Sequence, residues 1–207
     1  MMRSMTAAIL SRRPHAPPPA LTLWGEVTLP LSRVHEICGR ARRTLALRIA
    51  ARAGAPVLWI APDWCDAPLN PDGIAGIMPP RDMVFVTPRR AEDLLWAMEE
   101  ALRAGAAPVV VADLPEPPPL TPVRRLHLAA EAGTGHGLCR PLGLLLTPGE
   151  GGAPGVETRF RMEPDHAPGA DRWQIARLRA RMAPPRAWTL EGEETLHPLP
   201  SSVALSQ

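Results

Sequence analysis

Four short runs along the chain are almost wholly apolar: residues 57–61 (VLWIA), 83–87 (MVFVT), 108–112 (PVVVA) and 142–147 (LGLLLT). Runs of this length without polar alternation predict strands covered on both faces, the habit of parallel sheets. A fifth β-prone run, residues 34–38, ends at Gly39. Helical patterns lie between them. Residues 44–52 place Leu45, Leu47 and Ile49 among alanines, with Gly54 as the stop. Residues 90–103 repeat Leu94, Leu95, Met98 and Leu102 at three- and four-residue spacing before Gly105. A further helix opens at Thr121-Pro122, with Thr as N-cap and Pro in the first turn, and runs to Ala132. Buried strands alternating with helices predict an α/β fold, a mostly parallel central sheet with helices on both faces. Ligands in such sheets bind outside the carboxyl ends of the strands, here Gly39, Pro62-Asp63, Thr87, Asp113 and Thr147.

After Gly155 the pattern changes. Residues 156–162 (VETRFRM) alternate. Residues 173–182 (WQIARLRARM) fit either an antiparallel strand or a basic helix, and 188–190 fit a further strand. These predict antiparallel strands on the C-terminal edge of the sheet. The expected organisation is a disordered Pro-rich tail over residues 1–22, a core over 23–150, an antiparallel β extension over 151–192 and a flexible acidic tail over 193–207. Trp59 and Trp96 are expected in the core, whereas Trp24, Trp64, Trp173 and Trp188 fall near loops or edges.

Composition narrows the chemistry. All 23 basic residues are arginine, so there is no lysine for a Schiff base or for a phosphate-binding loop. The net charge of +2 is too small for a nucleic-acid coat, but its distribution is uneven. Five arginines and no acid lie between Arg172 and Arg186. Arg172, Trp173, Arg177, Arg179 and Arg181 are therefore the candidate contact for a partner or for single-stranded DNA, arginine for phosphate and tryptophan for base stacking. Cys38, Cys65 and Cys139 form no CxxC, which fits buried thiols in a reducing compartment. His136 and Cys139 share a metal-like spacing but lack a second pair, so no metal is expected. The apolar run 6–10 is too short for a signal segment and no run approaches a membrane span, so a cytoplasmic protein without a membrane partner is expected.

Strand, glycine and helix across residues 34–52 follow in the order of a P-loop. A working loop reads GxxxxGK[ST], because backbone N–H groups must wrap the phosphates and lysine must reach the β and γ groups. Here Gly39-Arg40-Ala41-Arg42-Arg43-Thr44 is three residues too short, lacks the second glycine and has Arg42 in place of lysine. Asp113 ends its strand as a Mg²⁺-binding aspartate would. Gly39, Arg42, Thr44 and Asp113 thus outline at most a vestigial ATP site, with no working cofactor and no catalytic residue. No GxSxG or HExxH occurs.

The stretch His35–Gly39 followed by 44–47 resembles the RecA segment that enters and leaves its P-loop, with the loop excised. Leu69-Asn70-Pro71 with 81–86, and 91–104 with 109–113, resemble the following RecA core strands and helix. The run 94–103 (LLWAMEEALR), then 124–132 (RRLHLAAEA), with Thr158-Arg159-Phe160-Arg161, Arg172-Trp173 and Trp188, is closer to the ImuA family. The resemblance covers about residues 25–190. It implies a RecA-like fold, kinship with RecA and SulA, and an accessory role in SOS-induced error-prone translesion synthesis. The partners it implies are an ImuB-like inactive Y-family polymerase and an error-prone DNA polymerase III α-type subunit, with RecA as a further candidate. Two alternatives stand beside it: a RecA-like ATPase with an unusual loop, and a SulA-like inhibitor of cell division.

Overall fold

A computed structural model describes residues 18–65, 67–192 and 194–200. The expected tail segments at 1–17 and 201–207 lie outside the described residues, as does the apolar run 6–10. The first sheet is a two-stranded antiparallel hairpin, β1 (Ala20–Trp24) and β2 (Val27–Pro30). The chain then runs β3 (Val34–Cys38), α1 (Arg42–Ala53), β4 (Val57–Ile60), α2 (Pro71–Ala75), a 3-10 turn (Pro80–Asp82) and β5 (Met83–Val86). It continues through α3 (Ala91–Ala104), β6 (Val109–Asp113), α4 (Leu120–His136) and β7 (Leu142–Leu146). The strands β8 (Thr158–Pro164), β9 (Arg172–Ala180), β10 (Arg186–Glu191) and β11 (Thr195–Pro198) follow.

Nine of these strands form one sheet in the order β11-β10-β9-β8-β3-β7-β6-β4-β5. The six strands from β8 to β5 pair in parallel, and β8 to β11 pair antiparallel. The expected architecture of a mostly parallel sheet with an antiparallel edge is therefore present. The apolar runs predicted it because parallel strands need both faces dry. Every residue of β6 and β7 is buried. Successive residues serve opposite layers: Val109 and Val111 pack with α1, while Val110 and Ala112 pack with α3 and α4. Full burial of each such side chain contributes roughly 1.5–3 kcal/mol. The hairpin β1–β2 joins α1 on its face, where Leu23, Trp24, Val27 and Leu29 pack with Trp188 and Leu190.

Where α3 ends, Gly105 takes the left-handed conformation at φ +58°. A Cβ at Gly105, Gly133 or Gly137 would run into the backbone of another of the three or of Leu102. The two helices thus touch main chain to main chain.

Several expectations shift. Strand β1 begins inside the span assigned to the Pro-rich tail, because its alternation is hidden behind prolines, and β11 lies inside the stretch assigned to the acidic tail. Helix α4 opens at Leu120 with Pro119 as its N-cap, so Thr121 lies inside the first turn and makes no cap hydrogen bond. Trp96 is 60% exposed rather than core, because the buried stripe of α3 runs through Leu94, Met98 and Leu102 and Trp96 points away from it. Trp24 and Trp188, expected at edges, are buried in the core between the hairpin and the sheet. The ambiguous segment is strand β9.

Candidate functional site

The short turn between β3 and α1 stands where nucleotide chemistry was sought. Gly39 turns the chain at φ +87°, where a Cβ would lie 2.5 Å from the Met162 carbonyl oxygen. Glycine is required there by both the conformation and the lack of room. The N–H of Gly39 donates to the Gly149 carbonyl (3.0 Å), and that of Ala41 to the Met162 carbonyl (3.0 Å). The N–H of Arg40 donates to Glu163 Oε1 (3.1 Å). Donors that would wrap phosphates in a P-loop are here used by β8 and by the loop between β7 and β8.

Of the vestigial-site residues Gly39, Arg42 and Asp113 come together, but around a cation that sequence reading had not chosen. Asp113, buried at the end of β6, accepts from Arg43 Nε (2.6 Å). Arg43 also donates to the Ala67 carbonyl (2.5 Å) and to Cys65 Sγ (3.3 Å), which ties the loop after β4 to α1. Burial works against the charge on Arg43, yet the Asp113 carboxylate and these hydrogen bonds outweigh it and raise its pKa above the ordinary value. Arg42 lies farther from Asp113, at 3.8 Å, and donates to the Gly39 carbonyl at 3.4 Å. Thr44 is half-buried in the first turn of α1. A carboxylate already paired with a guanidinium is poorly placed to recruit Mg²⁺.

The basic segment does not form one surface. Antiparallel pairing places Arg177 opposite Phe160 and Arg179 opposite Arg159, so Leu178 is the extra residue of a bulge. The bulge turns Arg177 and Arg179 to opposite faces. Arg177 is 7% exposed, donates to the Pro184 carbonyl (3.0 Å) and stacks its guanidinium 5.3 Å from the Trp188 ring. Burial lowers its pKa. Arg172 pairs with Asp165 at 2.8 Å, and Arg181 lies 3.9 Å from Glu157. Trp173 packs half-buried against the core, edge-on to His166. Arg179 is exposed. The run without acids in sequence is thus matched by acids from elsewhere in space.

One charged centre was missed altogether. Glu36, fully buried in β3, accepts from Thr147 Oγ1 (2.7 Å), from the N–H of Gly152 (2.8 Å) and Ala153 (3.0 Å), and from Arg159. Its signal was a glutamate at the centre of a five-residue β-prone run, VHEIC. Among the described residues no group of His, Cys, Asp and Glu is arranged to hold a metal ion, and no helix is long and apolar enough to cross a membrane.

No protein-family model matches the chain. Among solved structures, SulA from Pseudomonas aeruginosa aligns at a TM-score of 0.44 and 20% identity, over 56% of this chain and 98% of that one. Protein ImuA from two strains of Caulobacter vibrioides is 29% identical over 199 aligned residues, covering 82% of this chain and 78% of the relative. The resemblance read from the residues is borne out over most of the chain, which is similar to Protein ImuA.

Proposed function

We propose that the protein is a non-catalytic accessory factor with a RecA-like core that serves SOS-induced, error-prone translesion DNA synthesis through protein contacts. Its homology to ImuA supports the process. The RecA-like reading is supported by the parallel strands, the glycine turn into α1 and the aspartate ending β6. The observation that carries the non-catalytic reading is the Arg43–Asp113 pair, which neutralises the acid at the end of β6 beside a turn whose N–H groups are used internally. The partners we assign are an ImuB-like inactive Y-family polymerase and an error-prone DNA polymerase III α-type subunit. RecA and single-stranded DNA are the next partners to test, and the exposed members of the basic segment, Arg179 and Arg181, are their contact points.

Equilibrium binding of labelled ATP with Mg²⁺ tests this reading, alongside co-purification of the tagged protein with the Y-family polymerase homologue. The expected result is co-purification without saturable nucleotide binding. Saturable binding that disappears in Asp113→Ala would show a working nucleotide site and overturn the non-catalytic reading.

A further inference from the structure

A recess of about 360 Å³ opens beside the Gly39 turn, lined by Arg40, Glu150, Arg161, Glu163, Pro164 and Gln174. It is spacious beside the roughly 30 Å³ share of one water molecule. Its charges are arranged in two neutral couples. Arg40 Nε donates to Glu163 Oε2 at 2.7 Å, and Arg161 Nη1 to Glu150 Oε2 at 2.7 Å. The Glu163 carboxylate takes a second bond from the backbone N–H of Arg40, at 3.1 Å. A Cβ on Gly39 would lie 2.7 Å from Glu163 Oε1, so only glycine leaves room for this carboxylate beside the turn. One anionic group is therefore held by a main-chain N–H and a guanidinium at the mouth of a recess containing another guanidinium. Those are the donors that recognise a phosphoryl oxygen.

Glu163 projects from β8, one residue after Met162, whose carbonyl caps Ala41. Its carboxylate is delivered by the sheet itself, without the translational entropy a free anion would lose on binding. We propose that Glu163 fills, from within the chain, the anion position of this recess, and that its charge keeps phosphate and pyrophosphate groups out. The inference rests on the non-catalytic reading above and supplies its electrostatic cause: the shortened turn holds an anion, and the anion is the protein's own.

Isothermal titration calorimetry with pyrophosphate, on the full chain, tests this. Glu163→Gln keeps the shape of the side chain and removes its charge, and is expected to bind pyrophosphate at least about tenfold more tightly than the unaltered protein. Adding Arg40→Ala should abolish the gain. Glu150→Gln leaves the Glu163 carboxylate in place and should behave as the unaltered protein does. A folded Glu163→Gln protein that gains no binding overturns the proposal, and so does unaltered protein that binds as tightly as the variant. A Glu150→Gln protein that gains binding overturns it as well, even if Glu163→Gln does not fold. Mg²⁺-ATP binding lost in Asp113→Ala would sink the non-catalytic reading, whereas failure of Glu163→Gln alone sinks only the role of Glu163.

Discussion

The two halves of the sheet solve the same problem differently. Strands β6 and β7 in the parallel half are dry on both faces, sealed by α1 on one side and by α3 and α4 on the other. In the antiparallel half, β8 alternates buried and half-buried residues, and the hairpin and α1 cover only one face. Polar groups follow the same division. In the parallel half Glu36 is fully enclosed by donors and Asp113 is held by Arg43. In the antiparallel half arginines sit singly: Arg172 is steadied by an acid, Arg177 by a carbonyl and an indole ring, and Arg186 by the same ring.

The sharpest way to break this contrast is to remove the enclosed charge. Glu36→Ala strands the Thr147 hydroxyl, two backbone N–H groups and the Arg159 guanidinium, and is expected to cost roughly 3–5 kcal/mol. Urea unfolding measures it, and a loss below 1 kcal/mol would refute the enclosure. The bulge in β9 provides the next test. Arg177→Glu places a carboxylate against the Pro184 carbonyl and the Trp188 ring and should cost about 2–4 kcal/mol. Arg179→Glu, on the opposite face, should stay within about 0.5 kcal/mol. Equal losses at both positions would show that the bulge does not separate them.

The smallest effect concerns two neutral histidines at the junction of the halves. His35 donates through Nε2 to the Pro30 carbonyl (2.9 Å) and accepts at Nδ1 from Thr158 Oγ1 (2.7 Å). His127 accepts at Nδ1 from the N–H of Val34 (3.3 Å) and donates through Nε2 to the Gly155 carbonyl (3.1 Å). Burial chiefly holds both pKa values down, that of His35 to about 3. Below the ordinary histidine value of about 6.5 the unfolded chain binds protons that the folded chain refuses. Stability is thus fully present above pH 6.5 and declines from there toward pH 3. At pH 5.5 His35 should cost about 1.4 kcal/mol, with a further loss of the same sign from His127. Thermal unfolding at pH 7.5 and 5.5 reads the loss, and His127→Gln should remove part of it. A melting temperature unchanged by pH would refute both assignments.

The parallel half was legible because its physics is local: five apolar residues in a row have few other places to go. The core strands after Val57, Met83, Val109 and Leu142 emerged at nearly their true limits. The antiparallel half was legible as an edge extension, but β9 stayed ambiguous because the extra residue Leu178 breaks its alternation and leaves Ile175, Leu178 and Met182 at helical spacing. The hairpin β1–β2 escaped notice because it is short and follows prolines, so only the core beneath it explains its burial. At the candidate site, the shortened turn and Asp113 were visible in one dimension. The choice of Arg43 over Arg42 as the partner of Asp113 depends on helix phase, and the acids that balance Arg172, Arg181 and Arg186 are set by how the strands pair.

The meeting of Gly105, Gly133 and Gly137 has a mechanical meaning. With no side chain between them to hop rotamers or swell, α3 and α4 are pinned at one end as a splint rather than cushioned as a joint. The exposed Trp96 and Leu128 stand on that splint. Strain applied at one helix is therefore handed to the other rather than absorbed.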